Sequence, residues 1–161
     1  MAFQRAFAID PGLACAHQFF TAIQVDRGGA LSALHRLLPI VEGKHTDAHF
    51  FAALVQVCRF CGLLEASVKA HERARDLDPN IATSVPHTYF ARCEYEAVIE
   101  SYLVSGGGTG IYLDLCAWAC LGLTRRAETE ALNRLNIREL PPVLGRCSNP
   151  WCKLYKAMPR T

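Results

Sequence analysis

The sequence predicts an all-α fold in which antiparallel helix pairs stack into a solenoid. Between Ala48 and Leu77, apolar residues recur at steps of three and four positions on both sides of Gly62, which places them on one face of each of two helices. Gly62 permits a tight reversal, and Asp78-Pro79 ends the second helix because proline cannot continue it. A pair of this size cannot bury its apolar face alone, so we expect the pattern to recur along the chain.

The pattern recurs with a period of about 34 residues. Gly28 stands one period before Gly62, and a shift of two periods carries Ala74–Pro79 onto Ala6–Pro11. Through this turn and this Asp-Pro ending, the chain resembles the tetratricopeptide repeat family over about residues 2–136, because helix-turn-helix units of that length are typical of the family. The resemblance implies a right-handed superhelical solenoid that binds proteins and is not an enzyme.

The limits of the individual repeats follow from these landmarks. Pro39 interrupts the second helix of the first full repeat, and we expect a kink or an end there. The pattern of the second repeat recurs in the third after less than one full period, so the first helix of the third repeat should be short. We expect Pro86 in the first turn of that helix and Thr83 or Ser84 as its cap. The predicted organisation is a partial repeat at 2–11, repeats at about 14–47, 48–81, 82–105 and 109–136, and a C-terminal tail or capping segment at 137–161.

Composition argues against several classes of function. The chain has 161 residues, 51% of them hydrophobic, and its 17 basic and 15 acidic residues leave a net charge of +2. That charge is too small to favour a nucleic acid or an anionic membrane as partner, and no apolar run approaches the roughly 18 residues of a membrane span. No secretion signal opens the chain, so we expect a cytoplasmic protein whose eight cysteines are reduced.

Five groups of residues could carry chemistry, but each has a simpler structural interpretation. The glycine-rich residues 105–110 lack the Gly-Lys-Ser/Thr ending of a phosphate-binding loop and are expected to form a flexible loop between repeats. His45 and His49 have the spacing of a helical zinc pair, but His45 falls outside the predicted helix. We therefore expect no catalytic residue, no metal ligand and no cofactor. A metal or redox module remains a weaker alternative, built from Cys58 and Cys61, Cys116 and Cys120, or Cys147 and Cys152.

A binding surface is expected on the first helices of the repeats. In stacked repeats these helices line the concave face, and the side of each helix away from its partner makes the contacts. Arg59 is the only cation predicted on this surface, and we expect it to be exposed. The candidate residues for binding a protein or peptide are Gln18, Asp26, His49, Gln56, Arg59, Phe60 and Tyr112.

Self-association is the alternative hypothesis. Phe3 and Phe7 lie on a leading helix, residues 2–9, that lacks the first helix of its repeat, so both rings are expected to be left in water. A homo-oligomer joined through this end would cover them. On this hypothesis the chain is a structural or regulatory segment of a larger signalling protein, similar to the repeat segments of bacterial regulatory proteins.

Overall fold

The computed structural model describes residues 2–43, 47–105 and 112–135, and the regular secondary structure in these ranges is entirely helical. The prediction of an all-α fold is confirmed, whereas the predicted tail at 137–161 lies outside the described residues. No helix in these ranges is long and apolar enough to cross a membrane. In chain order the helices are α1 (Ala2–Ile9), α2 (Ala14–Asp26), α3 (Ala30–Glu42), α4 (Ala48–Phe60), α5 (Leu64–Leu77), α6 (Val85–Ala91), α7 (Tyr95–Ser105), α8 (Leu113–Cys120) and α9 (Thr124–Leu135).

After α1, the described helices pack as successive antiparallel pairs, α2 with α3 through α8 with α9. Each second helix also contacts the first helix of the following pair, as α3 does with α4 and α5 with α6. The first helices α2, α4, α6 and α8 contact one another in the same order. Each pair thus covers an apolar face that its neighbour cannot bury alone, which is the packing of a tetratricopeptide-repeat-like solenoid.

The turn inside each pair is closed in the same way. Gly28, Gly62 and Gly122 have φ angles of 81°, 76° and 77°, in the left-handed region that glycine adopts without strain. At the Gly62 turn, the glycine N–H donates to the Arg59 carbonyl at 3.0 Å, and the next N–H donates five residues back at 2.8 Å. These two bonds satisfy carbonyls at the end of the helix and confirm the predicted reversal. The turn between α6 and α7 has the same bonds, but Cys93 occupies the glycine position with φ 61°.

Pro39 does not end α3, which continues to Glu42. The proline lies near the C-terminal end of the helix, where it removes one helical hydrogen bond, the one to the His35 carbonyl. His35 is exposed, so water can reach that part of the helix. The helix ends at Gly43, whose N–H donates to the Ile40 carbonyl at 3.3 Å.

The largest apolar core is built around α4. Phe50, Val55 and Val57 of this helix are fully buried, and they pack with Leu37 of α3 and Ala70 of α5. The later pairs have smaller clusters, one around Val98, Tyr102 and Ala117 and one around Leu115, Trp118 and Ala127.

The first helix of the third pair is short, as predicted. α6 has 7 residues where α4 has 13, and Pro86 lies in its first turn. At 1.5 Å per residue, α6 is about 9 Å shorter than α4. Ser84 occupies the cap position, but its side chain makes no capping hydrogen bond. It accepts a hydrogen bond from Arg59 instead, so the expectation of a Ser84 side-chain cap is wrong.

Candidate functional site

The first helices bring equivalent side chains into a row. Counting six residues back from each turn gives Ala22 on α2, Gln56 on α4, His87 on α6 and Cys116 on α8. Because these helices contact one another in order, the row crosses all four described pairs. We call this surface the first-helix face, defined by the row together with the predicted binding residues Gln18, Asp26, His49, Arg59, Phe60 and Tyr112.

Gln18 and His49 are brought together on this face. His49 Nδ1 lies 2.6 Å from Gln18 Oε1, so Nδ1 carries the proton and donates it to the amide oxygen. His49 is positioned from the other side by Asp47, whose carboxylate accepts the His49 backbone N–H at 2.8 Å and caps α4. The pair therefore joins α2 to α4 and leaves two half-buried polar side chains on the surface between them.

Arg59 is not the exposed cation that was expected. Its side chain is half-buried, and burial lowers the pKa of Arg59. Nη1 donates to the Ser84 carbonyl at 2.8 Å and to the Ser84 hydroxyl at 3.0 Å, which ties α4 to the start of α6. The guanidinium also lies 5.2 Å from the ring centre of Phe60, which stays 55% exposed. Arg59 thus joins two helices of the face and lies against an aromatic side chain that is exposed to solvent.

His87 belongs to this face and was missed by the sequence reasoning. It is the residue equivalent to Gln56 when the second repeat is aligned with the third. The similarity between these two repeats, which indicated that the third is shortened, could therefore have identified His87. Its Nδ1 is buried and has no hydrogen-bond partner within the described ranges. Burial and the charge of Arg59 lower the pKa of His87, and the Ser84 backbone offsets part of that shift. The ring is therefore neutral at neutral pH and can still accept or donate a hydrogen bond.

The other predicted residues lie at separate places along the face. Gln56 is half-buried, and its side chain makes no hydrogen bond with the described residues. Asp26 is the exposed last residue of α2, in the first pair. Tyr112 precedes α8 in the last pair and is 57% exposed. The structure therefore spreads the predicted residues over a long surface and does not gather them in one pocket.

Phe3 and Phe7 pack inside the chain and are half-buried, so the expectation that both rings are left in water is wrong. The Phe3 ring lies 5.5 Å from the Phe20 ring, and the Phe7 ring lies 4.4 Å from the His17 ring. His17 is itself held, because Nε2 donates to the Pro11 carbonyl at 2.8 Å and Nδ1 accepts from an arginine of α3. Self-association through Phe3 and Phe7 stays a prediction, but these contacts remove the exposure of the two rings on which it was based.

A second concave surface opens between α5 and α7. Because α6 is short, these two second helices and the linker before α6 surround a cleft of about 530 Å³. Arg75 stands on one wall and Glu100 on the other. His71 Nδ1 lies 2.8 Å from the Thr83 hydroxyl, and burial followed by the charge of Arg75 lowers the pKa of His71, with Glu72 acting in the opposite direction. No sequence pattern indicated this cleft, because it is the space that the short helix α6 leaves between α5 and α7.

Metal ligation has no support in the described part of the chain, where no three histidine, cysteine or acidic side chains come together in a way that could hold an ion. The zinc-pair candidate His45 lies outside the described residues, as do Cys147 and Cys152. The weaker alternative of a tail metal site therefore stays a prediction.

The crystal structure of MamA protein is similar to this chain, with a TM-score of 0.59 and 20% sequence identity. The alignment covers 88% of this chain and 86% of that chain. MamA contains tetratricopeptide repeats, and at this level of identity the likeness shows the fold alone. The chain matches no protein-family model and no curated protein. The comparison thus agrees with the helix packing in indicating a tetratricopeptide-repeat-like solenoid.

Proposed function

We propose that the protein is an interaction scaffold that binds an extended peptide segment of a partner protein along the first-helix face. The observation that carries this proposal is Phe60, an aromatic ring that is 55% exposed and is backed by the guanidinium of Arg59 at 5.2 Å. Large exposed aromatic side chains on a supported surface are common anchors in protein interfaces. The proposed role is binding and not catalysis.

The polar groups along the first-helix face suit a peptide main chain. The Gln18 and His49 pair, Gln56 and His87 supply amide and imidazole groups, and they lie along α2, α4 and α6 in order. Such groups can exchange hydrogen bonds with the N–H and C=O groups of an extended segment without requiring a charged ligand. We further propose a cytoplasmic location, because the six cysteines of the described residues are free thiols.

Peptide selection on the purified chain tests this proposal. Peptides are selected from a displayed random library, and their affinity is then measured by isothermal titration calorimetry. Phe60→Ala should weaken the selected peptides by about tenfold or more, the effect expected of a hot-spot aromatic residue.

Leu132→Ala is the matched control, since Leu132 is 49% exposed but lies on the second helix α9. Circular dichroism checks that both variants keep the helical fold. Equal affinities for the parent and the Phe60 variant would place the binding site elsewhere.

Self-association is a second candidate, favoured by a different observation. Phe19 and Ile23 of α2 are 63% and 40% exposed, yet their equivalents one repeat later, Ala53 and Val57, are buried in the core between α2 and α4. The exposed pair thus marks the place where another first helix would pack, and a helix of a second copy could fill it. Light scattering across a dilution series should show an oligomer that Phe19→Asp dissociates. A monomer at every concentration would contradict this candidate.

A further inference from the structure

The linker that closes one side of the cleft beside α6 is held in place by the surrounding chain. His71 Nδ1 of α5 lies 2.8 Å from the Thr83 hydroxyl, which ties that helix to the linker. At the start of the linker, the Asn80 N–H donates to the Asp78 carboxylate at 2.9 Å. Ile81, the next residue, is buried against alanines of α4 and α5. The linker is therefore fixed before a ligand arrives, and binding does not have to order it.

The cleft has the size and the lining of a site for a small molecule. Its volume of about 530 Å³ falls within the range of roughly 300–1,000 Å³ that is typical of ligand sites. Ile81, Val85 and Pro86 supply apolar lining, and Tyr89 and Tyr102 add two aromatic rings. Such a lining suits a ligand with an apolar body and a few polar groups at its ends.

Opposite charges stand on the two walls of the cleft. Arg75 of α5 and Glu100 of α7 both line it, and both are exposed. The ion pairs among the described residues involve other side chains, so neither charge is neutralised within this part of the protein. Burial, followed by the charge of Arg75, lowers the pKa of His71, so this ring adds no second cation at neutral pH. A simple anion or cation would be attracted by one wall and repelled by the other, which favours a ligand that carries both charges.

We propose that this cleft is a binding site for a short zwitterion, a dipeptide or tripeptide with free ends and an apolar side chain. The ligand carboxylate pairs with the Arg75 guanidinium, whose planar fork matches two carboxylate oxygens. The ligand ammonium pairs with Glu100, and the apolar side chain lies against Val85 and Pro86. An extended dipeptide or tripeptide spans about 7–11 Å, so its two charges can reach opposite walls. A free amino acid carries both charges on one carbon and cannot separate them in this way.

This site is separate from the first-helix face. None of the residues that define that face lines the cleft, which lies between the second helices α5 and α7. The inference therefore goes beyond the proposed function and does not rest on it. Phe60→Ala, which should weaken a peptide on the first-helix face, should leave binding in the cleft unchanged.

Equilibrium dialysis of the full chain tests the proposal. The probe is a pool of unblocked tripeptides with alanine at both ends and leucine, valine, methionine or phenylalanine in the middle, and mass spectrometry measures which of them the protein retains. The best retained peptide is then titrated by calorimetry, beside the same peptide acetylated at its N-terminus or amidated at its C-terminus. Each block should weaken binding by about two- to fivefold, the range of charge pairs that water still reaches.

Two variants assign the ends of the ligand. Glu100→Gln should abolish the difference between the free and the acetylated peptide and keep the effect of amidation. Arg75→Gln should abolish the effect of amidation and keep that of acetylation. Glu96→Gln and Lys69→Gln change exposed residues of the same two helices that do not line the cleft, so both differences should stay as in the parent. Each comparison is made between peptides on one variant, so a general loss of stability does not imitate the result.

Three outcomes would overturn the proposal. The first is that the protein retains none of the tripeptides, and the second is that the parent chain binds free and blocked peptides equally. The third is binding that Phe60→Ala removes, because it would place the peptide on the first-helix face. Failure of the first two kinds leaves the proposed function untouched, since that function concerns a different surface.

Discussion

The hydroxyl oxygens of Ser67 and Thr88 lie 2.8 Å apart, and neither residue reaches solvent. Ser67 Oγ also lies 2.6 Å from the Val55 carbonyl and donates its one hydrogen to it. Thr88 must therefore donate to Ser67. The chain of bonds runs from α6 through α5 to α4.

The losses caused by removing the two hydroxyls should be less than additive. Ser67→Ala leaves the buried Thr88 hydroxyl without its partner, and we expect a loss of about 1–3 kcal/mol in the free energy of unfolding. Thr88→Val should cost about 1 kcal/mol, because Ser67 can still donate to Val55. The double variant should be less destabilised than the two single losses added together, by a coupling of about 0.5–3 kcal/mol. Urea unfolding of the four proteins measures the cycle, and strict additivity would contradict donation from Thr88 to Ser67.

The ion pair of Arg134 and Asp114 should be essential to the last helix pair. Asp114 is 3% exposed, and both its carboxylate oxygens accept from Arg134, at 3.1 and 2.6 Å. Arg134→Met would leave this carboxylate buried without its cation, which typically costs about 3 kcal/mol or more. Arg125→Met, an exposed arginine on the same helix, should change the free energy of unfolding by less than about 0.5 kcal/mol. Equal urea midpoints for the two variants would contradict the importance of this pair.

Stability should fall as the pH is lowered from 7 to 5. Burial lowers the pKa of His71 and of His87, so the folded protein binds these protons less readily than the unfolded chain does. The contribution of each neutral ring to the free energy of unfolding is complete above the ordinary histidine pKa of about 6.5. This contribution is lost as the pH falls from that value through the lowered pKa of the folded state. Urea midpoints measured at several pH values should decline over this window. His87→Gln should flatten the decline, whereas the same change at the exposed His35 should not.

Exchange of the turn residues should change stability in opposite directions. Cys93→Gly removes the left-handed strain of a side chain, which is about 1–2 kcal/mol, and we expect a net gain of about 0.5–1 kcal/mol after the entropy cost of glycine. Gly62→Cys should cost about 1–2 kcal/mol. A Cβ at Gly62 meets nothing within 4 Å, so this cost reports the backbone alone. Thermal unfolding of both variants in reductant checks the signs, and a destabilised Cys93→Gly would contradict the strain assigned to this turn.

The helices and turns could be predicted from the sequence because their causes lie in neighbouring residues. Glycine at a left-handed position, proline after an aspartate and apolar residues at helical spacing act over a few positions of the chain. Gly28, Gly62 and Gly122 consequently appear where the repeat requires them, and Pro86 begins the shortened α6. Pro39 does not end α3, because its effect depends on how much helix remains beyond it, and the alternative of a kink stays a prediction.

The site depended on distances between helices, which local patterns do not contain. Arg59 was expected to be exposed because the chain does not show that Ser84 lies beside it, 25 residues on. Phe3 and Phe7 were expected to be open to water because their contact with Phe20 and His17 depends on how α1 lies on α2.

The sequence by itself thus determined the order of helices, the repeat and the surface on which a partner is expected. Only the tertiary structure decided which side chains on that surface are exposed and that a cleft opens beside the short α6. The physical reason is range: backbone preference and apolar periodicity act within a turn or two of helix, whereas burial and charge pairing arise when residues distant in the chain are packed together.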